Sequence, residues 1–315
     1  MIKKQLGTSS ISSSPIIFGC WQAAWAGVNE DDIVSANVAA FEAGITTFDT
    51  AEGYGNGHSE RVLAKSLGNK RNEIIIATKV SAHNLRADKV AQACEGSLKN
   101  LNTDRIDLYQ IHWPAGAWGS PIVPVTETLE ALVKLKEQGK IRAIGVSNFN
   151  AAQLAEAVSC TTIDALQPPY SLFWRMGELE VFPLARKHHI SILAYSPLAQ
   201  GLLTGKFGPE TVLDKSDVRS SNRLFQTENF ERVQAALKIL RAVAARNNTS
   251  VGNLALSWLM YQSDVLPIVG ARTPQQAQDN VKSMDLVLSA YDLTEINAAG
   301  RMVTDYLDED PKMWA

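Results

Sequence analysis

Short apolar runs alternate with longer amphipathic ones from one end of this chain to the other. The short runs are PIIFGC (15–20), TTFDT (46–50), EIIIATKV (73–80), IDLYQIH (106–112), IRAIGVS (141–147), IDALQ (163–167), ISILAYS (190–196) and VLPIVG (265–270). Several are apolar at consecutive positions, the pattern of strands covered on both faces. Between them, DDIVSANVAAFEAG (31–44), RADKVAQACEGSLKNL (86–101) and VTETLEALVKLKEQGK (125–140) carry helical spacing. The first of these ends at Gly44, and the third ends in Lys136, Gly139 and Lys140, the glycine and positive charge expected at a helix C-terminus. Eight strand–helix alternations without a linker or a composition break predict an α/β fold. The architecture expected is one single-domain (β/α)8 TIM barrel over residues 1–315, with a short N-terminal segment.

The rhythm breaks in two places. Residues 196–230 follow the seventh strand and are too long for an ordinary strand-to-helix connection; barrels often build a phosphate site there. After Gly300 comes an acidic tail, RMVTDYLDEDPKMWA, whose Trp314 is placed to fray or to fold over a pocket mouth near the active face.

Composition narrows the function. The chain has 315 residues, 45% hydrophobic and 20% charged, with a net charge of −3. That balance gives ample core and argues against nucleic acid or an anionic membrane surface as a partner. Cys20, Cys94 and Cys160 show no metal-ligand spacing and leave one unpaired, as expected of a reduced, cytoplasmic protein. The opening MIKKQLGTSS lacks the apolar core of a secretory signal and there is no run of about 18 apolar residues, so a soluble protein without a targeting address is expected. Neither a metal nor an obligatory protein partner is implied.

A barrel carries its chemistry at the C-terminal ends of its strands. The polar residues there are Asp49, Lys79, His112, Ser147 with Asn148, Gln167, and Tyr195 with Ser196; Tyr54 lies on the loop past Asp49. Taken singly, a strand-end Asp is a turn residue and a Tyr among glycines is a packing anchor. Lys79 is less easily dismissed, because a lysine closing so apolar a run needs a counter-charge or must lose its proton. Asp49 is the expected partner. A nearby ammonium favours an ionised phenol, so Lys79 is expected to depress the pKa of Tyr54. Together Asp49, Tyr54, Lys79 and His112 make a proton-donating tyrosine, its tuning pair and a polarising imidazole. The glycine-rich stretch FDTAEGYGNGHSE (48–60) does not have the G-x-G-x-x-G spacing of a dinucleotide turn, and so is expected to be a catalytic loop. His58 with Glu60 is too thin a pair for a metal.

FDTAEGYG, IIIATKV, DLYQIHWP, IRAIGVSNF, AYSPLAQGLLTGKF and PIVGARTPQQAQDN occur in the order in which the aldo-keto reductase superfamily carries them. The chain resembles its bacterial members, including inositol-dehydrogenase-like reductases, and also potassium-channel β subunits. The resemblance implies reversible reduction of a small aldehyde or ketone with NADP(H) ahead of NAD(H). It makes Tyr54 the general acid, Lys79 and Asp49 its tuning pair, and His112 the group that orients the carbonyl. It gives the nicotinamide to Ser147, Asn148, Gln167 and Tyr195, with Asp49 and Trp21 alongside. Ser196, Leu198, Gly201 and Lys206 would fold over the pyrophosphate. Gly270, Arg272, Gln276 and Asn280 would meet the adenosine end. Trp21 and Trp113, with Tyr54 and His112, would border the substrate.

Two positions depart from the family pattern. Residue 276 is Gln where many NADP-preferring members have Arg, and QPPYSLFWR lacks the acidic residue many members place between the Gln and Tyr. Arg219 and Arg223 in the long loop are expected to be solvated; Trp25, Phe173 and Trp174 are left open between pocket and core. A Schiff-base aldolase using Lys79, and a non-catalytic or slow cofactor-sensing subunit, are the competing readings.

Overall fold

A computed structural model describes residues 3–214 and 217–307. Its centre is a closed barrel of eight parallel strands in sequential order, each hydrogen-bonded to the next and the last to the first. The strands are β1 (Ile17–Gly19), β2 (Thr47–Asp49), β3 (Ile75–Val80), β4 (Ile106–Ile111), β5 (Ile141–Ser147), β6 (Ala165–Gln167), β7 (Ser191–Ala194) and β8 (Val265–Val269). All eight fall within the apolar runs identified in the sequence. The helices are α1 (Glu30–Glu42), α2 (His58–Leu67), α3 (Ala87–Leu101), α4 (Val125–Glu137), α5 (Ala151–Cys160), α6 (Val181–Lys187), α7 (Thr227–Arg246), α8 (Val251–Met260), α9 (Pro274–Val281) and α10 (Ala290–Thr304). The acidic tail begins later than its composition implied, because α10 runs past Gly300 to Thr304; residues 308–315, with Trp314, lie outside the described residues.

Two cores explain the unbroken apolar runs. Phe18, Phe48, Ile76 and Ile144 point outward and are covered by the helices, while Ile17, Ala77, Leu108, Ala143, Ala165, Leu193 and Leu266 fill the barrel. Small and branched residues share the interior, which packs solid and is no pore. Leu6 and Ile11 join the inner cluster from a two-stranded hairpin, Lys4–Gln5 paired with Ser12–Ser13. This hairpin is what the N-terminal segment builds. The Lys4 ammonium ties it down by donating to the carbonyls of Met260, Gln262 and Val265 at 2.9, 2.7 and 2.8 Å. With the floor closed, chemistry is confined to the opposite mouth. Among the described residues no helix is long and apolar enough to cross a membrane.

Candidate active site

Parallel register brings the strand-end residues level. Gly19 pairs with Asp49 and Asp49 with Ala77, so Lys79 stands one inward-facing position above Asp49 on the neighbouring strand. The Lys79 ammonium, fully buried, donates to Asp49 Oδ1 at 2.5 Å and to the carbonyl of Thr50 at 2.8 Å. The other carboxylate oxygen accepts from Gln167 Nε2 at 2.9 Å and from Gln110 Nε2 at 3.2 Å, and the two glutamines are linked at 3.2 Å. Asp49 is thus a buried carboxylate with both oxygens engaged, fixed beneath the mouth. Gln110 was not picked out in the sequence. Its signal was available: an amide alone within the otherwise apolar LYQI, level with Lys79.

Tyr54 hangs over this pair. Its hydroxyl lies 3.5 Å from Lys79 Nζ, its ring faces the ammonium at 5.0 Å, and it meets the His112 ring edge-on at 5.5 Å. The loop carrying it is short and tied, with Gly57 N–H donating to the Glu52 carbonyl and Ser59 N–H to that of Tyr54. Gly57 is needed for two reasons: its φ is +76°, and a Cβ there would sit 2.2 Å from the Asn100 amide nitrogen. His58 and Glu60 turn to different partners. His58 reaches Glu30 at 3.6 Å, and buried Glu60 accepts from Thr78 and Asn100.

The electrostatics correct one expectation. Burial raises the Tyr54 phenol above its ordinary value, and Lys79 only partly opposes this because Asp49 offsets its charge. The lysine tunes the tyrosine downward without carrying it below a free phenol. For Lys79, burial favours the neutral amine, but the charges of Asp49 and Tyr54 outweigh it and raise its pKa. Burial, then the Lys79 charge, hold the His112 imidazole down to about 3, so it is neutral across the working pH range.

Beside this set, Ser147 Oγ donates to the Gln167 carbonyl at 2.8 Å. Asn148 Nδ2 reaches the His112 carbonyl at 3.0 Å, and the Tyr195 hydroxyl donates to Asn148 Oδ1 at 2.9 Å. Asn148, Ser196, Ala199 and Gln200 all have positive φ, from 48° to 60°, a concentration of backbone strain beside the tied side chains. Leu198 and Gly201 lie in the same strained turn.

Lys206 closes the turn, and its pKa is lowered by burial, then by the charges of Arg219 and Arg272. Lys206 and Arg219 both lie over the Phe207 ring, at 4.9 and 5.3 Å. Arg219 is therefore not the solvated loop residue expected. It is partly buried and ion-paired with Asp217. At the start of α9, Gln276 Oε1 accepts from the Arg272 amide at 2.9 Å and Asn280 Nδ2 approaches the Gly270 carbonyl at 3.4 Å. Gln22 also lies here, unnoticed in the sequence, with its amide filling the space a Cβ on Gly270 would need.

Aromatic residues divide clearly. Phe173 and Trp174 are fully buried core, whereas Trp21 is 47% exposed, 6.3 Å from the Tyr54 ring and 5.3 Å from Trp25. Trp113 packs edge-on against Trp118 at 5.3 Å. A buried ammonium–carboxylate pair thus lies beneath a tyrosine and a neutral imidazole at the C-terminal mouth of a parallel barrel, an arrangement chemically able to pass a proton to a small bound molecule.

Residues 15–301 match the family model of the aldo/keto reductase family, and the chain belongs to that family. It is thus an enzyme, an oxidoreductase of aldehydes and ketones. The NADH-specific methylglyoxal reductase of Escherichia coli (strain K12) is 33% identical over 319 residues, covering 93% of this chain and 97% of its own. The structure of a glycerol dehydrogenase from Gluconobacter oxydans superposes with a TM-score of 0.88 at 32% identity, covering 99% of both chains. An aldo-keto reductase from Klebsiella pneumoniae in complex with NADPH superposes with a TM-score of 0.78 at 25% identity, over 100% of this chain and 99% of its own.

Proposed function

We propose that this enzyme reduces a small aldehyde or ketone, reversibly, with Tyr54 as general acid and NADPH as the preferred cofactor. The observation that carries the reading is the Asp49–Lys79–Tyr54–His112 arrangement. Its phenol stays protonated through neutral pH and can give its proton to a carbonyl oxygen, while the neutral imidazole N–H of His112 donates a hydrogen bond to the same oxygen. Lys79, kept charged by Asp49, steadies the phenolate that remains. A buried, paired ammonium is a poor imine former, which weighs against the aldolase reading.

The residues present fit a nicotinamide dinucleotide. Ser147, Asn148, Gln167 and Tyr195 are pre-tied polar groups next to the proton donor, and Lys206, Arg219 and Arg272 raise a positive field that Asp217 opposes only in part. The bound cofactor supplies the hydride. Ser147, Asn148, Gln167 and Tyr195 would hold its carboxamide ring with Asp49 and Trp21 alongside, Ser196, Leu198, Gly201 and Lys206 its pyrophosphate, and Gly270, Arg272, Gln276 and Asn280 its adenosine end. The three cations support NADPH, as found in the Klebsiella pneumoniae complex, while the methylglyoxal reductase of Escherichia coli is NADH-specific.

Replacing Tyr54 by Phe tests the reading. It removes the acidic proton and breaks only a 3.5 Å contact, so kcat is expected to fall about 10²- to 10⁴-fold with NADPH affinity retained. An unchanged kcat would sink the mechanism. Tight NADPH binding by the wild type without turnover of any carbonyl would return the choice to a cofactor-sensing subunit.

A further inference from the structure

The loop that carries Tyr54 leans on one carboxylate. Glu52 Oε1 accepts from the Ser81 N–H at 2.6 Å and from Asn84 Nδ2 at 2.9 Å, while the Glu52 backbone N–H approaches the Lys79 carbonyl at 3.4 Å. The Glu52 carbonyl takes the Gly57 N–H at 2.7 Å and so closes the loop around Tyr54. Apart from the Tyr54 hydroxyl, the other hydrogen bonds of residues 53–57 stay within the loop or run to α2, among the described residues. The contact of that hydroxyl with Lys79, at 3.5 Å, is too long to fix the phenol by itself.

Through Ser81 the carboxylate reaches further. The Ser81 N–H belongs to the same planar peptide as the Val80 carbonyl, and that carbonyl accepts the His112 N–H at 3.0 Å. One rigid unit, directly after Lys79, is thus gripped by Glu52 on one side and by His112 on the other. The phenol, the ammonium and the imidazole stand on three separate segments, and Glu52 ties the first to the other two. We infer that Glu52 is a positioning residue for the reduction, holding the Tyr54 hydroxyl in register with Lys79 and His112 without itself touching the carbonyl. This rests on the carbonyl-reductase reading. Both side-chain bonds land on the same oxygen, so what the geometry asks of residue 52 is one acceptor at the right reach, which a glutamine also provides.

Kinetics with methylglyoxal and benzaldehyde test it in wild type, Glu52→Leu and Glu52→Gln. Leucine keeps the bulk and loses the acceptor. A misplacement of about 1 Å at the reacting groups costs about 10²-fold in rate, so kcat is expected to fall by about that factor in Glu52→Leu, while the NADPH Kd, read by tryptophan quenching, stays within about twofold of wild type. Glu52→Gln recovers most of the loss. In a Tyr54→Phe background, Glu52→Leu costs little more, because the proton donor it places is already gone. A kcat within about threefold of wild type in Glu52→Leu, an equal loss in Glu52→Gln, a matching loss of NADPH affinity, or full additivity with Tyr54→Phe overturns the proposal; additivity would make Glu52 a general support of the barrel mouth. Protein labelled with 3-fluorotyrosine reads the placement without turnover, the Tyr54 fluorine resonance being assigned by its absence from Tyr54→Phe. That resonance is expected to move in Glu52→Leu and to return in Glu52→Gln, and a resonance unmoved in Glu52→Leu overturns the proposal. Wild-type protein that oxidises no NADPH with either aldehyde, yet shows this fluorine pattern, overturns the reductase reading alone.

Discussion

Replacing Asp49 by Asn keeps the shape of the side chain and removes one charge, so it isolates the electrostatics beneath Tyr54. Two effects add. The Lys79 ammonium, fully buried and 2.5 Å from Asp49 Oδ1, loses its counter-charge. The asparagine also has one acceptor oxygen where the carboxylate has two. If that oxygen faces Lys79, its NH₂ points at Gln110 Nε2 and Gln167 Nε2, which now donate to Asp49 Oδ2. Breaking a buried pair from one side costs about 3–5 kcal/mol, a fall in Tm of about 5–8 °C for a chain of this size.

The diagnostic is how that deficit changes with pH. In the wild type the Lys79 pKa is raised, so the pair's contribution is fully present below the unfolded lysine value of about 10.4 and is lost as pH rises through the folded value. In the variant burial is unopposed by Asp49 and drives the folded lysine pKa down. The unfolded chain then binds more protons than the folded one, and stability climbs as pH rises toward 10. Thermal melts from pH 7 to pH 10 are therefore expected to show the gap between variant and wild type closing. A gap that stays constant over that range would refute the reasoning, because it would mean Lys79 keeps its charge without Asp49.

Because the Tyr54 phenol is raised and His112 is held to about 3, kcat/KM for carbonyl reduction is expected to be flat from about pH 6 to 9 and to fall as pH rises through the tyrosine's pKa. A step near pH 6.5 in that profile would show that His112 titrates in its normal range. Replacing Arg272 by Ala removes a cation that acts on Lys206, and is expected to weaken NADPH binding about tenfold or more and NADH much less, measured by quenching of tryptophan fluorescence. Equal losses for the two cofactors would assign Arg272 to a group they share.

The eight strands were legible because a buried parallel strand is apolar on both faces, and a run such as EIIIATKV can satisfy that demand in few other ways. The site residues were legible for a related reason. Asp49, Lys79, His112 and Gln167 interrupt apolar runs at their ends, and the family motifs around them fix the register. Gln110 escaped notice because its meaning depends on Asp49 Oδ2, 61 residues away. The N-terminal hairpin carries Leu6 and Ile11 into the barrel floor across contacts that no local periodicity announces. Arg219 resembled a solvated loop charge until folding placed it by Phe207 and Lys206.

The sequence by itself determined the order of strands and helices and set Asp49, Lys79, His112 and Gln167 at strand ends, since both follow from local pattern and from position along each strand. Tertiary structure alone decided the balance of charge at Tyr54. The lysine's pull on the phenol is set by the Asp49 carboxylate 2.5 Å from it, and burial outweighs what remains. Desolvation and Coulomb energies depend on distance and on excluded water, quantities a linear chain acquires only when it closes into a barrel.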